Sequence, residues 1–206
     1  MEKVVIRPAK ISDLDELVKV EKSAWPEEQA FTREHFESHL EVMKDFPRGI
    51  QVAVVSQGIV GIGIAEIIQY DIDNPIPDWY TVTDEGNLRN SFNPQGNVLY
   101  GVSLSVIPGY STMRIGKSII EAAKVVTRDF GLERFVLGSR IPRFHKFASR
   151  MTVEEYVFGR KGQRYIDPEI EFYHNCGLEV KKILPNYFED APSLNYGVLV
   201  VWENRL

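Results

Sequence analysis

One cysteine in 206 residues removes two classes of protein at once. Cys176 has no partner for a disulfide, and no multi-cysteine metal site can be built around it. Long apolar runs are missing too. No stretch reaches the roughly 20 residues a membrane-spanning helix needs, and no leader pattern opens the chain. These absences place the protein in the cytoplasm, away from a membrane. Positive charge is in deficit: 24 Lys and Arg stand against 29 Asp and Glu, a balance of −5. That argues against nucleic acid as the main partner and favours a cationic or amine-bearing one. Internal repeats and low-complexity tracts are absent as well. What remains, 44% hydrophobic and 26% charged, is ordinary for a globular chain with a sizeable core.

Hydrophobic periodicity predicts alternating strands and helices, the pattern of an α/β domain. Val4–Ile6 reads as a short strand broken by Pro8. Ser12 caps a helix with Asp13, Asp15 and Glu16 in its first turn and Leu14, Leu17, Val18 and Glu21 at helical spacing. Trp25-Pro26 closes it. Thr32 caps a second helix carrying Phe36, Leu40 and Met43. A hairpin comes next, Gln51–Val55 and Ile59–Gln69, turned at Ser56-Gln57-Gly58. Asn97–Val106 is a strand, the next helix runs to Phe130 with Gly131 as its stop, and Arg134–Leu137 is another strand. Helix Pro168–Asn175, ended by Gly177, and strands Leu178–Leu184 and Tyr196–Trp202 complete the pattern. Two segments interrupt it. Residues 70–96 are rich in Pro, Asp and Asn around Trp79 and Tyr80, and 141–167 hold helical fragments at Phe144–Arg150 and after Thr152. Loops that long in a compact domain are usually functional. The economical reading is a single domain, 1–206, with insertions at about 70–96 and 141–167.

The stretch Ser103–Ile120 organises the rest. A strand ends, a Pro-Gly turn intervenes, and an amphipathic helix begins. The first N–H groups of a helix lack partners and sit in the positive end of its dipole, so a phosphate fits there. Gly116-Lys117-Ser118 resembles the end of a P-loop, but the glycine that motif needs five residues earlier is Ser111. The next strand also offers no aspartate for magnesium. ATP is thereby disfavoured.

Ser111-Thr112-Met113-Arg114-Ile115-Gly116 instead resembles the pyrophosphate loop of the GNAT N-acetyltransferases, usually Gln/Arg-x-x-Gly-x-Gly/Ala. Ser111 replaces Gln/Arg, Arg114 stands at the first glycine, and Gly116 is kept. Ile6-Arg7-Pro8-Ala9 with Asp13 is similar to the family's opening. Phe172-Tyr173-His174-Asn175-Cys176-Gly177-Leu178 is similar to its Tyr-x-x-x-Gly-Phe. Gly138-Ser139-Arg140-Ile141-Pro142 and Leu184-Pro185-Asn186-Tyr187 resemble a subgroup sometimes fused to nitrilase-type hydrolase domains. The resemblance implies a GNAT fold, a mixed central sheet splayed at the cofactor cleft with flanking helices. It also implies acetyl-CoA as co-substrate and no metal.

In that reading the backbone of Leu104, Ser105 and Val106 pairs with the pantetheine amides. The loop Ser111, Thr112, Met113, Arg114, Ile115 and Gly116 holds the pyrophosphate. Tyr173 protonates the departing thiolate; as a residue alone it reads equally as a packing aromatic. The base is open. Glu66, a carboxylate among apolar neighbours, is one candidate, with solvent exposure as its alternative, and His145 is another. His35 and His39, four apart, lack the glutamate of a zinc motif and read as packing or solvated residues. The implied activity is direct acetyl transfer to the primary amine of a small molecule or peptide, held near Trp25 and the Trp79–Tyr80 loop; a homodimer stays open. The rival is a non-catalytic CoA-binding or regulatory module, supported by the degenerate loop.

Overall fold

A computed structural model describes residues 3–110 and 113–205. Among the described residues seven strands form one mixed sheet: β1 Val5–Pro8, β2 Ile50–Val55, β3 Gly58–Ile68, β4 Val98–Val106, β5 Arg134–Arg140, β8 Glu179–Leu184 and β9 Gly197–Glu203, ordered β1-β2-β3-β4-β5-β9-β8. β6 Arg160–Lys161 and β7 Arg164–Tyr165 make a separate small ribbon inside the second insertion. Pro8 does not break the first strand. It pairs with Gln51 at the end of β1, which the order makes an edge strand, where a missing N–H costs little. The Arg7 guanidinium bonds Asp13 at 2.6 Å and ties this edge to the helix after it.

β4 and β5 are the only parallel neighbours in the sheet among the described residues, and they pair only from Val98–Gly101 to Arg134–Leu137. Beyond Gly101, β4 stays with β3, while β5 stays with β9 through Arg140. The two strands therefore part. The β3–β4 register also shifts, with Ala65 opposite Gly101 but Ile64 opposite Ser103, so Val102 is an extra bulged residue at the mouth of the splay.

The helices are α1 Leu14–Ala24, α2 Arg33–Val42, α3 Trp79–Val82, α4 Ile115–Asp129, α5 Val153–Phe158 and α6 Pro168–Asn175. Strand alternation assigns their faces. Ile62 and Ile64 share a core with Leu17 and Val20 of α1. Gly61 and Gly63 lie under α4 on the other side. A Cβ at Gly61 would come within 2.6 Å of the Ile115 side chain, and one at Gly63 would meet Ile119. The bare glycines let α4 lie close to the sheet, which fixes its N-terminus beside the end of β4.

α6 is docked onto α4 by charge and shape. Lys117 Nζ donates to the Asn175 carbonyl at 3.2 Å, and Lys124 Nζ donates to the Cys176 carbonyl. Both satisfy orphan groups at the negative end of α6. A Cβ at Gly116 would stand 3.1 Å from the Phe172 ring.

Both insertions are folded back. In the first, the Trp79 N–H donates to the Tyr187 carbonyl at 2.8 Å, and its indole Nε1 donates to the bulged Val102 carbonyl at 3.0 Å. In the second, Tyr156 OH donates to Asp167 at 2.8 Å, and Asp167 caps α6 through the Glu169 and Ile170 N–H groups. The fragment expected at Phe144–Arg150 is a single tight turn, Phe144–Lys146. Among the described residues no helix is long and apolar enough to cross a membrane.

Candidate active site

A cavity of about 320 Å³ occupies the splay. Val102, Ser103 and Leu104 of β4 form one wall, and Gly138, Ser139 and Arg140 of β5 the other. Ile119 and Ala123 of α4 line one face of the sheet; Glu21 and Trp25, at the end of α1, line the opposite face.

Tyr173 of α6 lines this cavity and is 8% exposed. Burial raises the pKa of its phenol, and Glu169, one helical turn earlier, raises it further. The ring is therefore held as a protonated donor. No described residue hydrogen-bonds its hydroxyl, whereas Tyr187 donates to the Gly138 carbonyl at 3.1 Å and Tyr156 to Asp167.

Of the expected cofactor residues, Leu104 and Val106 line the cavity. Ser105 is buried behind them. Its Oγ accepts from Trp25 Nε1 at 2.7 Å and donates to a Glu21 carboxyl oxygen at 2.6 Å. Met113, Arg114, Ile115 and Gly116 sit at the start of α4. Ser111 and Thr112 lie outside the described residues. Within the helix, Ser118 is bonded to the Arg114 carbonyl at 3.0 Å. The N–H groups of Ile115, Gly116 and Lys117, in the first turn, have no intrahelical carbonyl to reach.

Arg114 has φ 57°, a left-handed conformation. The departure from the usual glycine thus keeps the backbone shape that a glycine would supply. Left-handed φ costs a side-chain-bearing residue about 1–2 kcal/mol, and the added freedom of an unfolded glycine offsets roughly 0.5–1 kcal/mol of the relief. Arg114→Gly is accordingly expected to leave the midpoint of thermal unfolding unchanged or raise it by up to about 6 °C. A fall of several degrees in a thermal melt would show that the arginine side chain, not the backbone, is what this position needs.

The structure does not bring Glu66 into the site. It pairs with Tyr100, at a level where β4 is still bonded to β5, so it lies on the closed part of the sheet. It is 0% exposed, and its two carboxyl oxygens accept from Ser91 Oγ at 3.0 and 2.8 Å. Burial, with Asp84 nearby, pushes its pKa up to about 8. The expected environment is present; the expected place is not. His145 is also outside the cavity, with Nδ1 2.7 Å from the Pro192 carbonyl. His39 is a packing histidine, its Nε2 donating to the Gly86 carbonyl at 2.6 Å between Phe31 and Phe36. Cys176 is buried, and burial raises its thiol pKa. Among the described residues no group of three or more His, Cys, Asp or Glu could hold a metal.

No family model matches the chain. The uncharacterized N-acetyltransferase YkwB of Bacillus subtilis is 34% identical over an alignment of 207 positions that covers 98% of this chain and 90% of that protein. The loading GNATL domain of CurA from Lyngbya majuscula superposes with a TM-score of 0.81 at 21% identity, covering 98% of both chains. The chain belongs to the GNAT family of N-acetyltransferases. The probable hydrolase YhcX of B. subtilis is likewise 34% identical over 203 residues, but the match spans 98% of this chain and only 39% of that longer protein. The GNAT-like decarboxylase GphF, solved with isobutyryl-CoA, has a TM-score of 0.77 at 27% identity, covering 97% of this chain and 98% of its own.

Three residues of this GNAT cavity escaped the sequence pattern. Arg140 bonds Asp190 at 2.8 Å and lies 4.4 Å over the Trp25 ring. Its position at the end of β5 gave no signal of a role. Glu169 lines the cavity, where its side chain is exposed. The signal was its i, i+4 spacing to Tyr173. Glu21, 2% exposed, sits on the apolar stripe of α1. A carboxylate at an apolar helical position is the mark that could have singled it out. Phe188 stacks on Tyr80 at 5.3 Å and, with Trp79, closes the aromatic side.

Proposed function

We propose that this protein is a cytoplasmic, acetyl-CoA-dependent N-acetyltransferase that moves an acetyl group to a primary amine by direct attack in a ternary complex. The observation that carries the reading is the Tyr173 hydroxyl, whose residue lines the splay and which is used by no structural hydrogen bond among the described residues. Along the cavity, the edge of β4 beyond Gly101 has no β5 partner, which leaves the outward backbone groups of Leu104 and Val106 for pantetheine amides, while those of Ser105, in step with the Ile107 N–H bonded to Val60, face β3. The first turn of α4 offers N–H groups to a pyrophosphate. Tyr173 then supplies a proton to the thiolate as the amine displaces it. CoA recognition is supported by the similar domain solved with isobutyryl-CoA, and acetyl transfer by the relative named as an N-acetyltransferase. The acceptor is a small-molecule or peptide amine.

Calorimetry with acetyl-CoA, then thiol release measured across an amine panel, tests this. Saturable binding with amine-dependent thiol release is expected. Binding with no release on any amine would favour a non-catalytic module, and absence of binding would overturn both.

A second reading has one observation behind it. Arg140 places a guanidinium in the cavity, where the free carboxylate of a malonyl-type thioester would find a charge-assisted partner. The similar domain named as a decarboxylase makes this worth a parallel assay. Conversion of malonyl-CoA to acetyl-CoA and CO₂ without amine would establish it.

A further inference from the structure

The acetyltransferase reading leaves the general base unassigned. Resting on that reading, we propose that Glu21 is the base that takes the proton from the attacking amine, with Ser105 and Trp25 as the residues that position it.

Hydrogen-bond chemistry fixes the direction of the chain. An indole Nε1 is a donor only, so Ser105 Oγ must accept from Trp25 at 2.7 Å. The single hydroxyl proton is then left for Glu21 Oε2 at 2.6 Å. Oε2 is thus held as an acceptor, and Oε1 receives only a long contact from the Phe31 N–H at 3.4 Å. A proton arriving from the cavity has Oε1 as its place. Glu21, Trp25 and Tyr173 line the same cavity. A candidate acid and a candidate base thereby face one space that a thioester could occupy. Burial raises the Glu21 pKa, while Ser105 and Phe31 hold it down, a direction that favours proton uptake by the carboxylate.

The groups facing Glu21 leave this assignment intact. From β5, Arg140 covers Trp25 and is itself paired with Asp190 of the 185–196 loop. From α6, Glu169 and Tyr173 line the same cavity, as does Tyr187. From α2, His35 and His39 stand behind the Phe31 ring. None of these is bonded to the Glu21 carboxyl. In the step, the amine nitrogen forms its bond to the thioester carbon and passes one proton to Glu21. The carbon–sulfur bond breaks, and the thiolate takes the proton of Tyr173. Exchange with solvent then removes the proton from Glu21 and restores that of Tyr173, so the sum is amine plus acetyl-CoA giving amide plus CoA.

Steady-state kinetics against pH, with the best amine of the panel, tests the assignment. Glu21→Gln keeps the shape and is expected to lower kcat/KM by about 10²-fold or more, with acetyl-CoA affinity within about twofold of wild type. Ser105→Ala deprives the carboxylate of a donor and should move the acidic limb of the kcat/KM profile to higher pH. Ser105→Thr should restore it. A second readout needs no turnover: with ¹³C-labelled glutamate, the resonance that Glu21→Gln removes should titrate above the ordinary carboxylate range, and higher still in Ser105→Ala. An active wild type whose acidic limb ignores Ser105→Ala, or a Glu21 resonance that titrates in the ordinary range, overturns the base assignment alone. A wild type inactive on every amine overturns the acetyltransferase reading, and the assignment falls with it.

Discussion

Glu66→Gln should make the protein more stable at pH 8 by roughly 4 kcal/mol, at about 1.4 kcal/mol per unit of pKa shift. The carboxyl is 0% exposed and its pKa is pushed from 4.5 up to about 8. In the unfolded chain it ionises near 4.5; in the folded chain it keeps its proton until pH 8. The folded state therefore binds more protons across that window, and stability falls as pH rises from about 4.5 to about 8. A glutamine at this position would carry no proton to lose and could still bond Ser91 Oγ. His39 supplies the opposite slope. Its pKa is depressed from 6.5 to about 4 by burial, so the folded state binds fewer protons and stability is lost as pH falls from 6.5 to 4. Between 4.5 and 6.5 these two contributions offset each other in the wild type. Other shifted groups, such as Asp167, are common to both proteins, so the difference between the two urea-unfolding profiles isolates residue 66. That difference should be near zero at about pH 4 and grow to its maximum by about pH 8. A pH-independent difference would mean that Glu66 titrates normally.

The same residue shows where a sequence stops being informative. β3 is buried along ten of its eleven positions, so alternation of apolar and polar residues, the usual guide to which face a side chain takes, is absent there. The raised pKa of Glu66 came from its apolar neighbours. Its distance from the chemistry did not, because that depends on the register that sets Glu66 opposite Tyr100, short of the Val102 bulge. Glu21 reads in the sequence as one more helical position of α1, and its hydrogen bond to Ser105, 84 positions away, is a pairing no local pattern encodes. The opposite holds for the order of strands and helices, the glycines that stop α4 and α6, and the Tyr173 helix. Those are local signals of period, capping and turn chemistry, and with the resemblance to GNAT proteins they were enough to draw the architecture. Pro8 and the Arg160–Tyr165 ribbon mark the limit of such signals, since edge position and short turns are decided by tertiary context.

The loop that begins α4 illustrates how a motif can be kept in shape after it is lost in letters. A glycine-rich pyrophosphate loop works because its backbone turns left-handed and brings N–H groups to one point. Here Arg114 makes that turn without glycine. The surviving Gly116 answers to a different demand, the approach of the Phe172 ring. Phe172 adjoins Tyr173, so the contact that requires the glycine also sets the distance between the first turn of α4 and the phenol.

Tyr173→Phe should separate chemistry from structure more cleanly than any other change in the cavity. A buried tyrosine hydroxyl normally has a partner, as Tyr156 and Tyr187 do, and deleting such a bond costs on the order of 1 kcal/mol. The Tyr173 hydroxyl has none among the described residues, so its removal forfeits no hydrogen bond and leaves the apolar packing of the ring in place. Thermal unfolding is expected to be unchanged within about 1 °C, since surface and packing terms are preserved. Acetyl-CoA binding should also persist, because β4 and the first turn of α4 are untouched. The transfer step should not. A positioned proton donor contributes about 10²–10⁴-fold, so kcat with the amine should fall by at least about 10²-fold while KM for acetyl-CoA changes little. An acetyl thioester with a more acidic thiol leaving group needs less protonation, and with it the deficit of Tyr173→Phe should shrink. A variant that retains wild-type kcat with CoA as leaving group would remove Tyr173 from the mechanism and return it to the role of a packing aromatic. A loss of kcat that is equal for both leaving groups would place the phenol in orienting the thioester instead of protonating sulfur.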